Sequence, residues 1–74
     1  MTLQQLGKVL NEMYFGAKDG ETAAMVHLFG IKYAQAIRDS GASKKAIAKA
    51  ANINESYGTE ISKGVKLSQW VVLK

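Results

Sequence analysis

Seventy-four residues with no cysteine, no proline and one histidine predict a single small domain over residues 1–74, without disulfide staples or a thiolate metal site. The formal net charge is +4, and no apolar run approaches the roughly 20 residues that span a bilayer. The start Met1-Thr2-Leu3-Gln4-Gln5 is polar and uncharged, unlike a secretory leader, so a cytoplasmic, helix-packed chain is expected.

The first helix is predicted over 2–15. Thr2 can cap it, and Gln5 three residues on can complete a capping box. Leu3, Leu6, Val9, Leu10, Met13 and Tyr14 recur at three- and four-residue steps and make one apolar stripe. Gly7 inside that stripe costs up to about 1 kcal/mol relative to alanine, or it marks the close approach of another helix. Gly16 to Gly20 reads as a turn, with Gly16 ending the helix.

A second, longest helix is predicted over 21–39. Its apolar face is Ala24, Met25, Leu28, Ile31, Tyr33, Ala34 and Ile37, widened by Val26 and Phe29. A helix apolar over so much of its circumference is central to the domain or shares its outer side with a second subunit, and a homodimer is expected. Ser40-Gly41 ends it.

Ser43 is placed to cap a third helix over 44–50, with Ala46, Ile47 and Ala50 inward and Lys44, Lys45 and Lys49 outward. Asn52-Ile53-Asn54 then turns the chain: Asn52 tolerates the left-handed conformation, Ile53 is an apolar plug and Asn54 is a good N-cap. A fourth helix follows from about 55 to 63, burying Ile61 and Tyr57, with Gly64 as its stop. Two short helices about a tight corner have the layout of a helix-turn-helix over 43–64, whose second helix suits the major groove of DNA. The tail, 65–74, changes character. Trp70, Val71 and Val72 favour a strand, which would pair with a symmetry mate, or an extended segment wrapped over the helices.

Charge sharpens this reading. In residues 1–41 Lys8, Lys18, Lys32 and Arg38 are balanced by Glu12, Asp19, Glu21 and Asp39, so the whole net charge lies in residues 42–74. A basic half of this kind attracts a polyanion through counterion release, or is simply a solvated lysine face. The candidate groove-reading residues are Asn54, Glu55, Ser56, Thr59 and Lys63. Ser43, Lys44, Lys45, Lys49 and Lys66 are candidates for phosphate contact. The absence of arginine from this half argues against bidentate guanine readout.

Other chemistry finds little support. His27, the one histidine, lies between Val26 and Leu28 and reads as a partly buried structural residue. The acidic residues form no pair at catalytic spacing, and the serines have no nucleophile-elbow context. Gly16 to Gly20 lacks the Lys-Ser or Lys-Thr of a phosphate loop. No enzyme activity, cofactor, metal or small-molecule substrate is expected.

Residues 46–64 resemble the helix-turn-helix of LacI-like and Cro-like regulators from bacteria and phage, I-A-x-x-A-G-V-S-x-x-T-V-S-x-x-L-N-G. Ile47, Ala48, Ala50 or Ala51, Ile53, Ile61 and Gly64 carry the likeness, over about a quarter of the chain. More loosely, the whole chain is similar to small stand-alone bacterial HTH-like proteins with two helices ahead of the motif. It departs from the pattern in Asn52 for the corner glycine, in Gly58 for a β-branched residue of the second helix, and in the carboxylates Glu55 and Glu60 at outward positions. The elements read along the chain make an all-α, four-helix fold with a short C-terminal strand or extended tail. The resemblance implies double-stranded DNA as the partner of a small transcriptional regulator. The alternative is a protein-interaction module that keeps the helix-turn-helix shape without binding DNA.

Overall fold

Thr2 opens the first helix as its sequence predicts. In the computed structural model, which describes residues 1–73, the Thr2 hydroxyl accepts from the Gln5 amide at 3.2 Å, and the Gln5 side chain accepts from the Thr2 amide at 2.8 Å. This reciprocal cap starts helix α1, Leu3–Phe15. Leu6 and Leu10 are fully buried, and Leu3, Val9, Met13 and Tyr14 pack around them. Gly7 is also buried: a Cβ there would lie 2.6 Å from the Cβ of Ala50, so it marks a close helix approach.

The long helix expected over 21–39 is instead two, α2 (Thr22–Lys32) and α3 (Ala34–Ser40). Tyr33, at φ −107° and ψ 19°, leaves the helical conformation between them. A straight helix over 21–39 would be about 28 Å long, close to the 30 Å longest extent of the molecule. Bending at Tyr33 keeps Ala34 and Ile37 in the core instead of carrying them past it. The inner face of α2 also differs from the expectation. Val26, Phe29 and Gly30 are buried, whereas Ala24 is exposed and Met25, Leu28 and Ile31 are only half-buried.

Gly41, at φ +69°, ends α3. Ser43 then caps α4 (Lys44–Ala50) by accepting from the Ala46 amide at 3.0 Å. Helix α4 buries Ile47 and Ala48, followed by Ala51, rather than the expected Ala46, Ile47 and Ala50. Ala50 itself is exposed, with its Cβ lying close against Gly7 at the edge of the α1–α4 contact.

The second helix of the motif corrects two expectations. It begins with a 3-10 turn, Glu55–Tyr57, and continues as α5, Gly58–Leu67. Gly64 therefore does not stop it. Gly64 is buried inside α5 and faces Gly30 of α2: a Cβ on Gly30 would be 2.6 Å from the Ile61 carbonyl oxygen and 2.9 Å from the Gly64 Cα. With no side chain on either residue, the two backbones touch directly. Leu6, Leu10, Val26, Phe29, Ile37, Ile47 and Ile61 fill the space among the helices, contributed by all five.

The fold is all-α, with five α-helices among the described residues rather than four. No strand forms in the tail over 65–73. Val65 to Leu67 belong to α5, Ser68 to Trp70 form a turn, and residues 71–73 have no regular structure. The tail is therefore neither a strand nor an extended wrap: it continues α5 and then turns, leaving Trp70 and Val72 largely exposed. Lys74, the last residue of the predicted tail, lies outside the described residues.

Candidate nucleic-acid interface

The corner between α4 and α5 is built from local signals. Asn52 takes φ +63°, the one positive φ at a non-glycine among the described residues. The Asn52 amide donates to Lys49 O at 3.0 Å and the Ile53 amide to Ala48 O at 3.1 Å, the paired bonds of a Schellman ending. Ile53 folds back against the core. Asn54 restarts the chain: its side-chain oxygen accepts from the Ser56 amide at 2.9 Å, which leaves the amide NH2 free to donate outward.

Gly58 decides how the two helices meet. Instead of weakening the middle of a helix, it opens α5 and sits against α4, where a Cβ would be 3.1 Å from the Lys45 amide nitrogen. This approach sets Lys44 and Lys45 beside Asn54, Glu55, Ser56 and Thr59. Together with Gly58 and Ser62 they line an open cleft of about 520 Å³. Asn54, Glu55, Ser56, Thr59 and Ser62 are all exposed, and the tail does not line this cleft.

The remaining candidates lie elsewhere. Ser43 is exposed and engaged as the α4 cap, though its hydroxyl proton stays available to donate. Lys49 is exposed but does not line the cleft. Lys63 and Lys66 border a separate hollow with Leu67 and Trp70, and Lys63 also pairs with Glu60 at 3.4 Å. Glu60 does not stand free on the outer face. It lies 2.9 Å from His27 Nε2 on α2, and that hydrogen bond, aided by Lys63 against partial desolvation, holds its carboxyl below the ordinary value. His27 is accordingly a half-buried structural residue that ties α2 to α5.

Three contributors escaped the sequence reading. Ser62 lines the cleft one turn beyond Thr59, a position the three-residue step along α5 would have shown. Asn11 of α1 donates to the Ala51 carbonyl at 2.8 Å and so satisfies the end of α4 from across the fold. Tyr14 meets Tyr57 edge-on, with ring centroids 5.2 Å apart and hydroxyls at 3.4 Å. That hydroxyl contact, with partial burial, raises the Tyr14 phenol above its ordinary value. The bond from Asn11 and the ring of Tyr14 brace the corner from α1.

The sequence profile described as HTH-like domain matches residues 2–74. The chain belongs to the HTH-like domain family. The match takes in the three helices ahead of the motif and the tail as well as the motif, so the bracing by α1 lies inside the family unit. The family points to a helix-turn-helix protein of the DNA-interacting type. No curated protein and no solved structure matches the chain significantly. Among the described residues no group of three or more His, Cys, Asp or Glu gathers as metal ligands, and no helix is long and apolar enough to cross a membrane.

Proposed function

We propose that this HTH-like domain binds double-stranded DNA and acts as a small transcriptional regulator of bacterial or phage type, working in the cytoplasm. The observation that carries the reading is the cleft where Lys44 and Lys45 stand beside the exposed polar ridge Asn54, Ser56, Thr59 and Ser62. Short polar side chains at the start of the second helix reach base edges or phosphates, and the lysines add affinity without sequence information. Glu55 accepts from a cytosine amino group. Ser43, Lys49, Lys63 and Lys66 contact flanking phosphates. A homodimer would present two such ridges to successive half-sites. The outward apolar residues Ala24, Met25 and Leu28 of α2 support that arrangement.

Duplex binding measured across a salt series tests the proposal. Lys44→Glu with Lys45→Glu should lower affinity and flatten the plot of log K against log salt by about 1.8, since each phosphate contact contributes about 0.9. An unchanged slope would move the interface away from the cleft. No duplex binding at low salt would favour a protein-interaction module instead.

A further inference from the structure

The C-terminal end of α5 carries a second surface. Leu67 and Trp70 are 43 % and 71 % exposed. With the stems of Lys63 and Lys66 they line an open hollow of about 280 Å³ with apolar walls. That volume accepts one large apolar side chain, since a cavity of about 150 Å³ already holds a benzene ring. On the neighbouring stretch of tail, Val71 and Val72 are 43 % and 88 % exposed, and they border a groove that also includes Lys32 and Arg38.

The rim identifies the occupant. Lys63 and Lys66 edge the hollow itself, and Lys32 and Arg38 lie along the neighbouring groove. Among the described residues the carboxylate paired with this rim is Glu60, which is shared between His27 and Lys63. A second copy seated here across a two-fold axis would bring ammonium groups against ammonium groups, and like-charge juxtaposition opposes association. A segment with one apolar anchor and flanking carboxylates meets both the hollow and its rim.

We propose that the Leu67–Trp70 surface docks an acidic amphipathic segment of another protein, with one large apolar side chain in the hollow and carboxylates against Lys63 and Lys66. This surface is distinct from the Lys44–Thr59 cleft at the opposite end of α5. Lys63 and Lys66 are also the flanking phosphate candidates, so a docked acidic segment replaces those phosphates and leaves the Lys44–Thr59 cleft open.

Trp70 is the sole tryptophan of the chain, so its emission reports this surface alone. Amphipathic peptides sharing one Leu/Phe stripe, with glutamate or lysine at the polar positions, are titrated against the full chain. The glutamate peptide should shift Trp70 emission to the blue and bind about tenfold or more tightly than the lysine peptide. Lys63→Glu with Lys66→Glu should invert that preference, while Lys44→Glu with Lys45→Glu should leave it intact. Lys45, Lys63 and Lys66 are exposed and Lys44 is half-buried, and far-UV circular dichroism checks that each variant keeps the fold before titration. Equal response to both peptides overturns the proposal. So does a blue shift produced only by anionic vesicles or only by duplex DNA. Sedimentation showing self-association that Trp70→Ala abolishes would assign the surface to a second copy and likewise end it.

Discussion

Replacing Gly30 by alanine sets two effects of opposite sign against each other. Within a helix, glycine to alanine stabilises by up to about 1 kcal/mol through backbone entropy. At Gly30, however, the new Cβ would stand 2.6 Å from the Ile61 carbonyl oxygen, and 2.9 Å from both the Gly64 Cα and the Val65 amide nitrogen. These are backbone atoms, so no side-chain rotation relieves the overlap, and α5 must move by roughly an ångström to restore van der Waals contact. Overpacking of this kind costs about 1–3 kcal/mol, and the displacement also loosens the contacts of Phe29 and Ile61. The expected outcome is a net destabilisation of about 1–2 kcal/mol. For a domain of this size that lowers Tm by roughly 5–15 °C. Thermal unfolding followed by far-UV circular dichroism, with urea titration at fixed temperature, reads the effect. Gly30→Ala with Gly64→Ala should cost less than the sum of the single changes, because one displacement accommodates both. A stabilised Gly30→Ala chain would mean that the backbones of α2 and α5 do not touch.

Asn52 is exposed and held at φ +63°, so its side chain matters through conformation rather than packing. Asn52→Val should cost about 1–2 kcal/mol in urea unfolding and Asn52→Gly less than about 0.5 kcal/mol; equal stabilities would contradict the left-handed corner. Glu60 predicts a pH effect. The hydrogen bond with His27 holds its folded value below the ordinary 4.5, so the unfolded chain binds more protons near that pH. The stabilisation is therefore complete above about pH 4.5 and is lost as pH falls through the lowered value. Between about pH 5 and 3 the Tm of Glu60→Gln should fall less steeply than that of the wild type, and parallel curves would remove this pair from the acid response.

What the sequence made legible was local. Thr2 with Gln5, Ser43, and Asn52-Ile53-Asn54 each act on backbone groups within about five residues, and each forms the cap or corner its chemistry favours. The polar ridge followed from the corner. The inner face of α2 was not legible, because apolar residues surround that helix and the residue at the centre of its buried stripe, Gly30, has no side chain to count. Gly64 was ambiguous for the same reason. A glycine reads as a stop until the glycine opposite it is known, and Gly30 lies on a different helix. Gly58 looked like a defect because its partner, the Lys45 backbone, belongs to the preceding helix. The ties of His27 to Glu60 and Asn11 to Ala51 join residues 33 and 40 positions apart, beyond the reach of any periodicity.

The bond from Asn11 to the Ala51 carbonyl makes the N-terminal helix a splint for the corner of the motif. Asn11 and Tyr14 grip the elbow on either side of Ile53, so the pitch of α5 is fixed from outside the motif. An excised stretch of residues 43–67 would keep its own caps but lose this external grip, and with it the angle at which its polar edge is offered.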